Sequence, residues 1–215
     1  MTHTLHRQGT KESLDNDYIF LCMAAKGINE DRANEKMREF LKIMMHHQPI
    51  NAGDMRSGNI FNSNMDEILS KVSSTSIVHG VFTDRDTATK VLQELQDADL
   101  GLSVVVSGPF DSINCICEAV GLKPHSVDFS GGIWGNTKRL PAKDIQEVTT
   151  MCGHAMVASN LVTSLVNDIK KRRITSDEAS RELAKQCACG VFNPSRAAEL
   201  MHDMAKKSRA RPSPP

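Results

Sequence analysis

The chain has 215 residues, 40% of them hydrophobic, and its 26 basic and 26 acidic residues leave a formal net charge of +0. That length and apolar content suit one packed core, or one core with a small appendage. Neutrality argues against a general nucleic-acid or membrane partner, and an aromatic fraction of 4% argues against a base-stacking platform.

No apolar run reaches the roughly 18–20 residues of a membrane span. The opening MTHTLHRQGTKESLDND lacks the apolar centre of a secretory signal, so a cytoplasmic protein with reduced thiols is expected. Six cysteines in that compartment read as buried, catalytic or metal-bound rather than as structural disulfides.

Residues 1–13 form a polar arm carrying His3, His6 and Arg7. A solvated arm is the simpler expectation; folded over a sheet edge, it would bind an anion or act in acid–base chemistry. DYIFLCMAAKG (17–27) predicts a buried strand closed by glycine. Residues 29–48 predict a helix with Asn29 as N-cap and Met37, Phe40, Leu41, Met44 and Met45 on one face. His46 and His47 close that helix, where cationic rings complement its dipole.

The stretch 49–64 has turn composition and reads as a long loop offering Asp54, Arg56 and Asn59. An arginine there would clamp a carboxylate or phosphate. A short helix (65–72) leads to a second strand (76–82), then to a helix opened by a Thr83–Asp86 capping box. A third strand (101–108) and a helix from Pro109 to Gly121 follow. HSVDFSGGIWG (125–135) is a candidate fourth strand running into a glycine loop, whose Trp134 reads as a lid or interface anchor. This loop matches neither a phosphate-loop nor a dinucleotide fingerprint.

Strand and helix alternate through residues 14–140, which predicts an α/β layer domain with a mostly parallel sheet and flanking helices. Ligands of such sheets lie beyond the strand ends, here Thr83, Asp84, Ser107, Gly108 and the Gly131–Gly135 loop. From 141 to 205 the pattern is helical throughout, predicting a cysteine-bearing module packed on that domain. Its helices begin near His154, after the Thr175–Glu178 capping box, and at Asn193 with Pro194 at the first helical position. Residues 206–215 form a basic, proline-rich tail read as disordered.

Two segments of this module carry the chemistry: TMCGHAM (150–156) and QCACGVFNP (186–194). If the helices between them fold back on each other, Cys152, Cys187 and Cys189 converge. Gly153 and Gly190 would let the backbone wrap closely round a bound group. Each cysteine is placed ahead of a helix, where free N–H groups favour thiolate.

Three cysteines suit a [4Fe–4S] cluster with one open iron. A complete Cys152, His154, Cys187 and Cys189 set suits zinc instead, although these gaps are tighter than zinc-knuckle spacings. Without metal, Cys187 and Cys189 read as a redox dithiol, and Cys152 as a nucleophile. Cys22 reads as core. Cys115 and Cys117 point about 200° apart on their helix, and either is a lesser candidate for a fourth ligand.

The leading expectation is therefore a cytoplasmic iron–sulfur enzyme of lyase, hydratase or desulfurase type in anaerobic metabolism. Its open iron would act on a small anionic metabolite, with His154, His6, Arg7 and Arg56 as candidate catalytic groups. The alternatives are a zinc-stapled binding or assembly protein and a thiol-redox protein. A homo-oligomer or a partner protein completing the site stays open.

Overall fold

The computed structural model describes residues 4–209. Its strands are β1 (Tyr18–Cys22), β2 (Asn51–Asp54), β3 (Gly58–Asn59), β4 (Val78–Phe82) and β5 (Val104–Ser107). They form one sheet in the order β3-β2-β4-β1-β5, and every pairing in it is antiparallel. The expected parallel sheet is thus overturned.

The physical reason lies in the connections. β1 reaches β2 through α2 (Ala33–His46), and β4 reaches β5 through α4 (Arg85–Ala98). Each helix does join strands of the same direction, but a strand of the other unit sits between them. The result is two interleaved split β-α-β units. Sequence alternation reveals the crossover helix and not the strand inserted beneath it. The five buried residues of β1 mimic a parallel strand because helices cover both faces of this sheet.

Tyr18, Phe20, Cys22, Val78 and Phe82 point to one face and pack with α2, α4, α5 (Phe110–Ala119) and α3 (Met65–Lys71). Phe20 and Phe82 meet edge to face with centroids 5.7 Å apart. Gly80 lets α2 settle on the sheet, since a Cβ there would lie 2.7 Å from Met44 Sδ.

Ile19 and Val81 point to the other face. They pack with α6 (Lys143–Thr149), α7 (Ser159–Lys170), α8 (Ser176–Gln186) and α9 (Pro194–Arg209). The fold is a helix–sheet–helix sandwich, with the cysteine-bearing helices as one outer layer.

Several local expectations also change. The long loop predicted over 49–64 is largely the β2–β3 hairpin, closed by Asp54, which accepts from Ser57 Oγ at 2.8 Å and Ile77 N at 3.1 Å. The fourth strand expected at 125–135 does not form; the segment is irregular, with Phe129 78% and Trp134 84% exposed. Asn29 is no N-cap: α2 starts after Arg32, in left-handed conformation, while the Asn29 side chain accepts from Ala25 N at 2.7 Å. Asp84, not Thr83, caps α4 by accepting from Thr87 N.

α7 begins at Ser159 rather than near His154, which leaves Met156 exposed. α6, a short helix without a side-chain cap, has no counterpart in the sequence reading. The predicted capping box at Thr175 and Glu178 is present in full. Asn193 accepts from Arg196 N at 2.8 Å, as an N-cap does. Among the described residues no helix is long and apolar enough to cross a membrane. Most of the basic tail expected to be disordered lies outside the described residues.

The described part of the arm is tied to the fold, although His6 and residues 9–12 are exposed. Thr4 is buried and bonds Ser107 Oγ at 2.7 Å, and Gln8 N donates to Thr150 Oγ1 at 3.0 Å. His3 lies outside the described residues. α1 (Lys11–Leu14) then leads into β1.

Candidate metal centre

The turn after α6 carries Cys152 and His154, and the turn between α8 and α9 carries Cys187 and Cys189. α7 and α8 run between them and return the chain to its starting point. All three thiols are buried in the same core as Ile19 and Val81, while His154 is exposed. Cys187 Sγ and Cys189 Sγ are 3.8 Å apart, and Cys189 Sγ lies 3.7 Å from His154 Nδ1.

The thiols interact in a row, Cys152 with Cys187 and Cys187 with Cys189. The interaction with Cys187, together with burial, pushes the Cys152 thiol far above its ordinary value. Cys152 pulls Cys187 down, but the interaction with Cys189 and burial prevail and push it up to about 12. Cys189, at the end of the row, is held below its ordinary value by Cys187, against burial. A backbone bond at Val191 and the nearby charge of Arg7 act in the same direction. Cys189 is the first of the three to become thiolate.

Helix N-termini do not supply this activation, contrary to expectation. Cys152 follows the C-terminal end of α6, and Cys187 is the C-cap of α8, where the dipole disfavours an anion. The turn that carries Cys187 and Cys189 lies close against the sheet. Gly190, at φ 80°, lies so near β2 that a Cβ would meet the Ala52 carbonyl carbon and Gly53 N, both at 2.8 Å. In the turn after α6 the left-handed residue is Ala155, at φ 55°.

Asparagines from the supposed loop then tie the cysteine turn down. Asn59 Nδ2 donates to the carbonyls of Ala184 (3.0 Å) and Cys187 (2.6 Å), capping the end of α8. Asn51 Nδ2 donates to Phe192 O at 2.8 Å, and Asn62 Nδ2 to Lys185 O at 3.0 Å.

The arm completes the surroundings. Arg7 donates to Asp17 and to the Val191 carbonyl, two residues from Cys189. Asp17 also accepts from Arg196 Nη1 at 3.1 Å and Asn193 Nδ2 at 3.0 Å. Arg7 is therefore an internal cation beside the thiols. It also lines a cavity of about 700 Å³ along β5 that Ile19, Val106, Leu122 and Phe129 help enclose.

The other candidates are not part of this group. His6 is exposed and bonds Ser130 Oγ at 3.1 Å. Arg56 is exposed at the tip of the β2–β3 turn. Cys22 and Cys117 belong to the core on the opposite face of the sheet, which removes α5 as a source of a fourth ligand. Cys115 is exposed on that helix. Sequence reading missed Asn51, Asp17 and Arg196, and offered Asn59 only as a residue of a long loop. The asparagine density of residues 51–64 was the available signal, and it was read as turn composition.

No protein-family model, curated protein or solved structure matches this chain, so the site stands on its own chemistry.

Proposed function

We propose that Cys152, Cys187 and Cys189 ligate a [4Fe–4S] cluster whose fourth iron, beside His154, acts on a small anionic metabolite. The reaction class is that of a lyase, hydratase or desulfurase. The observation that supports it is the convergence of three buried sulfurs and one exposed imidazole, from segments separated by two helices. The Arg7 cation offsets the negative charge that a thiolate-bound cluster carries. Six free thiols suit a reducing, cytoplasmic and anaerobic setting.

A specific observation favours a second reading, a structural Cys3His zinc. With Zn–S bonds of about 2.3 Å, a zinc tetrahedron has edges of about 3.8 Å. The contacts at 3.8 and 3.7 Å each match such an edge. Yet no three of the four ligand atoms lie within 4.8 Å of one another, so the row must close around one zinc ion, whereas a cluster requires the 3.8 Å Cys187–Cys189 pair to open.

Metal analysis and a visible spectrum on protein purified without oxygen separate the readings. The cluster predicts brown protein with about four irons per chain. Colourless protein with one zinc selects the second reading, and metal-free protein with a titratable dithiol overturns both. Cys152→Ala and Cys189→Ala are expected to lose iron equally, and full retention in either removes that cysteine from the site.

A further inference from the structure

A second group of ligand-type side chains lies across the sheet from the cysteines. His46 is the last residue of α2 and His47 is its C-cap. Glu94 comes from α4. His46 Nδ1 lies 2.9 Å, and His47 Nε2 2.7 Å, from the same Glu94 oxygen, Oε2. Among the described residues, these are the three His, Cys, Asp or Glu ligand atoms that all lie within 4.8 Å of one another.

The backbone holds this geometry in place. His47 N and Gln48 N close the helix end by donating to Met44 O and Met45 O, both at 3.1 Å. On α4, Val91 and Leu95 flank Glu94 and are buried, so the helix cannot turn the carboxylate away without unpacking. The imidazoles stand with centroids 5.0 Å apart and planes tilted by 47°, so neither stacks over the other's nitrogen. Bonds of about 2.0–2.2 Å to nitrogen and oxygen would spread the three atoms only slightly from their present separations. His46 is 70% and Glu94 37% exposed by side chain, leaving room for water in the remaining coordination positions.

We propose that His46, His47 and Glu94 form a surface site for a divalent transition-metal ion, clamping the end of α2 to α4. Two imidazoles and one carboxylate select zinc, cobalt, nickel or copper over magnesium or calcium, which prefer all-oxygen shells. The site is independent of the cysteine centre in position and in ligand chemistry.

Cobalt(II) titration of the full chain tests it, because the two centres differ in spectrum. Cobalt held by nitrogen and oxygen shows weak ligand-field bands, whereas thiolate ligation adds intense sulfur-to-metal charge transfer. The expected result is a bound cobalt without charge transfer, accompanied by a rise in Tm. Glu94→Gln and His47→Ala should each lose that cobalt while keeping the circular dichroism of the parent. The proposal is overturned if all bound cobalt shows charge transfer, or if the nitrogen–oxygen cobalt persists in both variants. It is equally overturned if no such cobalt binds, which would leave a carboxylate paired with two histidines.

Discussion

The two faces of the sheet are built by different means. Towards α2–α5 the strands present Tyr18, Phe20, Cys22, Val78 and Phe82 to a core of aliphatic, aromatic and methionine side chains. Towards α6–α9 they present Ile19 and Val81, and much of the attachment is polar: Asn51 and Asn59 reach carbonyls, and Arg7, Asp17 and Arg196 form a buried ion group. Apolar burial is non-directional and tolerates small shifts. Hydrogen bonds and ion pairs fix position, as a layer carrying three converging thiols requires.

Asp17→Ala should show the largest difference between the faces. It strands two buried guanidinium groups and is expected to cost about 3–5 kcal/mol. Urea unfolding would measure the loss, and alkylation of Cys189 should quicken as the arm and the Val191 turn loosen. Met37→Ala, on the other face, should cost about 2–5 kcal/mol through its cavity. Thiol accessibility at Cys187 and Cys189 should not change; if it does, the faces are coupled and the comparison fails.

Asn59→Ala reverses that signature. Losing the two bonds to the end of α8 should cost about 1–3 kcal/mol and expose Cys187 to alkylation out of proportion to stability. Mass spectrometry of alkylated protein reads it directly.

Thr175→Ala should be the mildest, about 1 kcal/mol from the capping box, with the thiols unchanged. Its pH dependence has a definite sign. The Glu178 carboxyl is held below its ordinary value by the Thr175 backbone and side chain. Its contribution is therefore complete above the unfolded value of 4.5 and lost as pH falls through the folded one. The gap between parent and variant melting temperatures should narrow in acid, leaving the share of the Thr175 Oγ bond to Glu178 N.

What the sequence made legible was local. The Thr175 cap, the Asn193 start and most of the apolar stripe of α2, in which Ile43 is buried and Met45 exposed, depend on residues within a few positions of one another. The nearness of Cys187 to Cys189 and the return of the chain to Cys152 followed from spacing and two helices. Strand direction was not legible, because an inserted strand leaves no mark on the units it separates. The tie from Asn59 to Cys187 spans 128 residues, and asparagine in a turn-rich stretch has a nearer explanation. Nor was the place of Arg7 legible, since a cation in a polar arm looks solvated until a buried carboxylate is found beside it.

The arm's contacts bear on the order in which the molecule matures. Arg7 meets Val191 across a sequence separation of 184, and Asn16 meets Asn193 across 177. On a ribosome, the sheet and its α2–α5 layer have all their residues once Ala119 has emerged, whereas the thiol row must wait until synthesis passes Arg196. The contacts that hold α9 and the arm against the thiol row are therefore the last for which both partners exist.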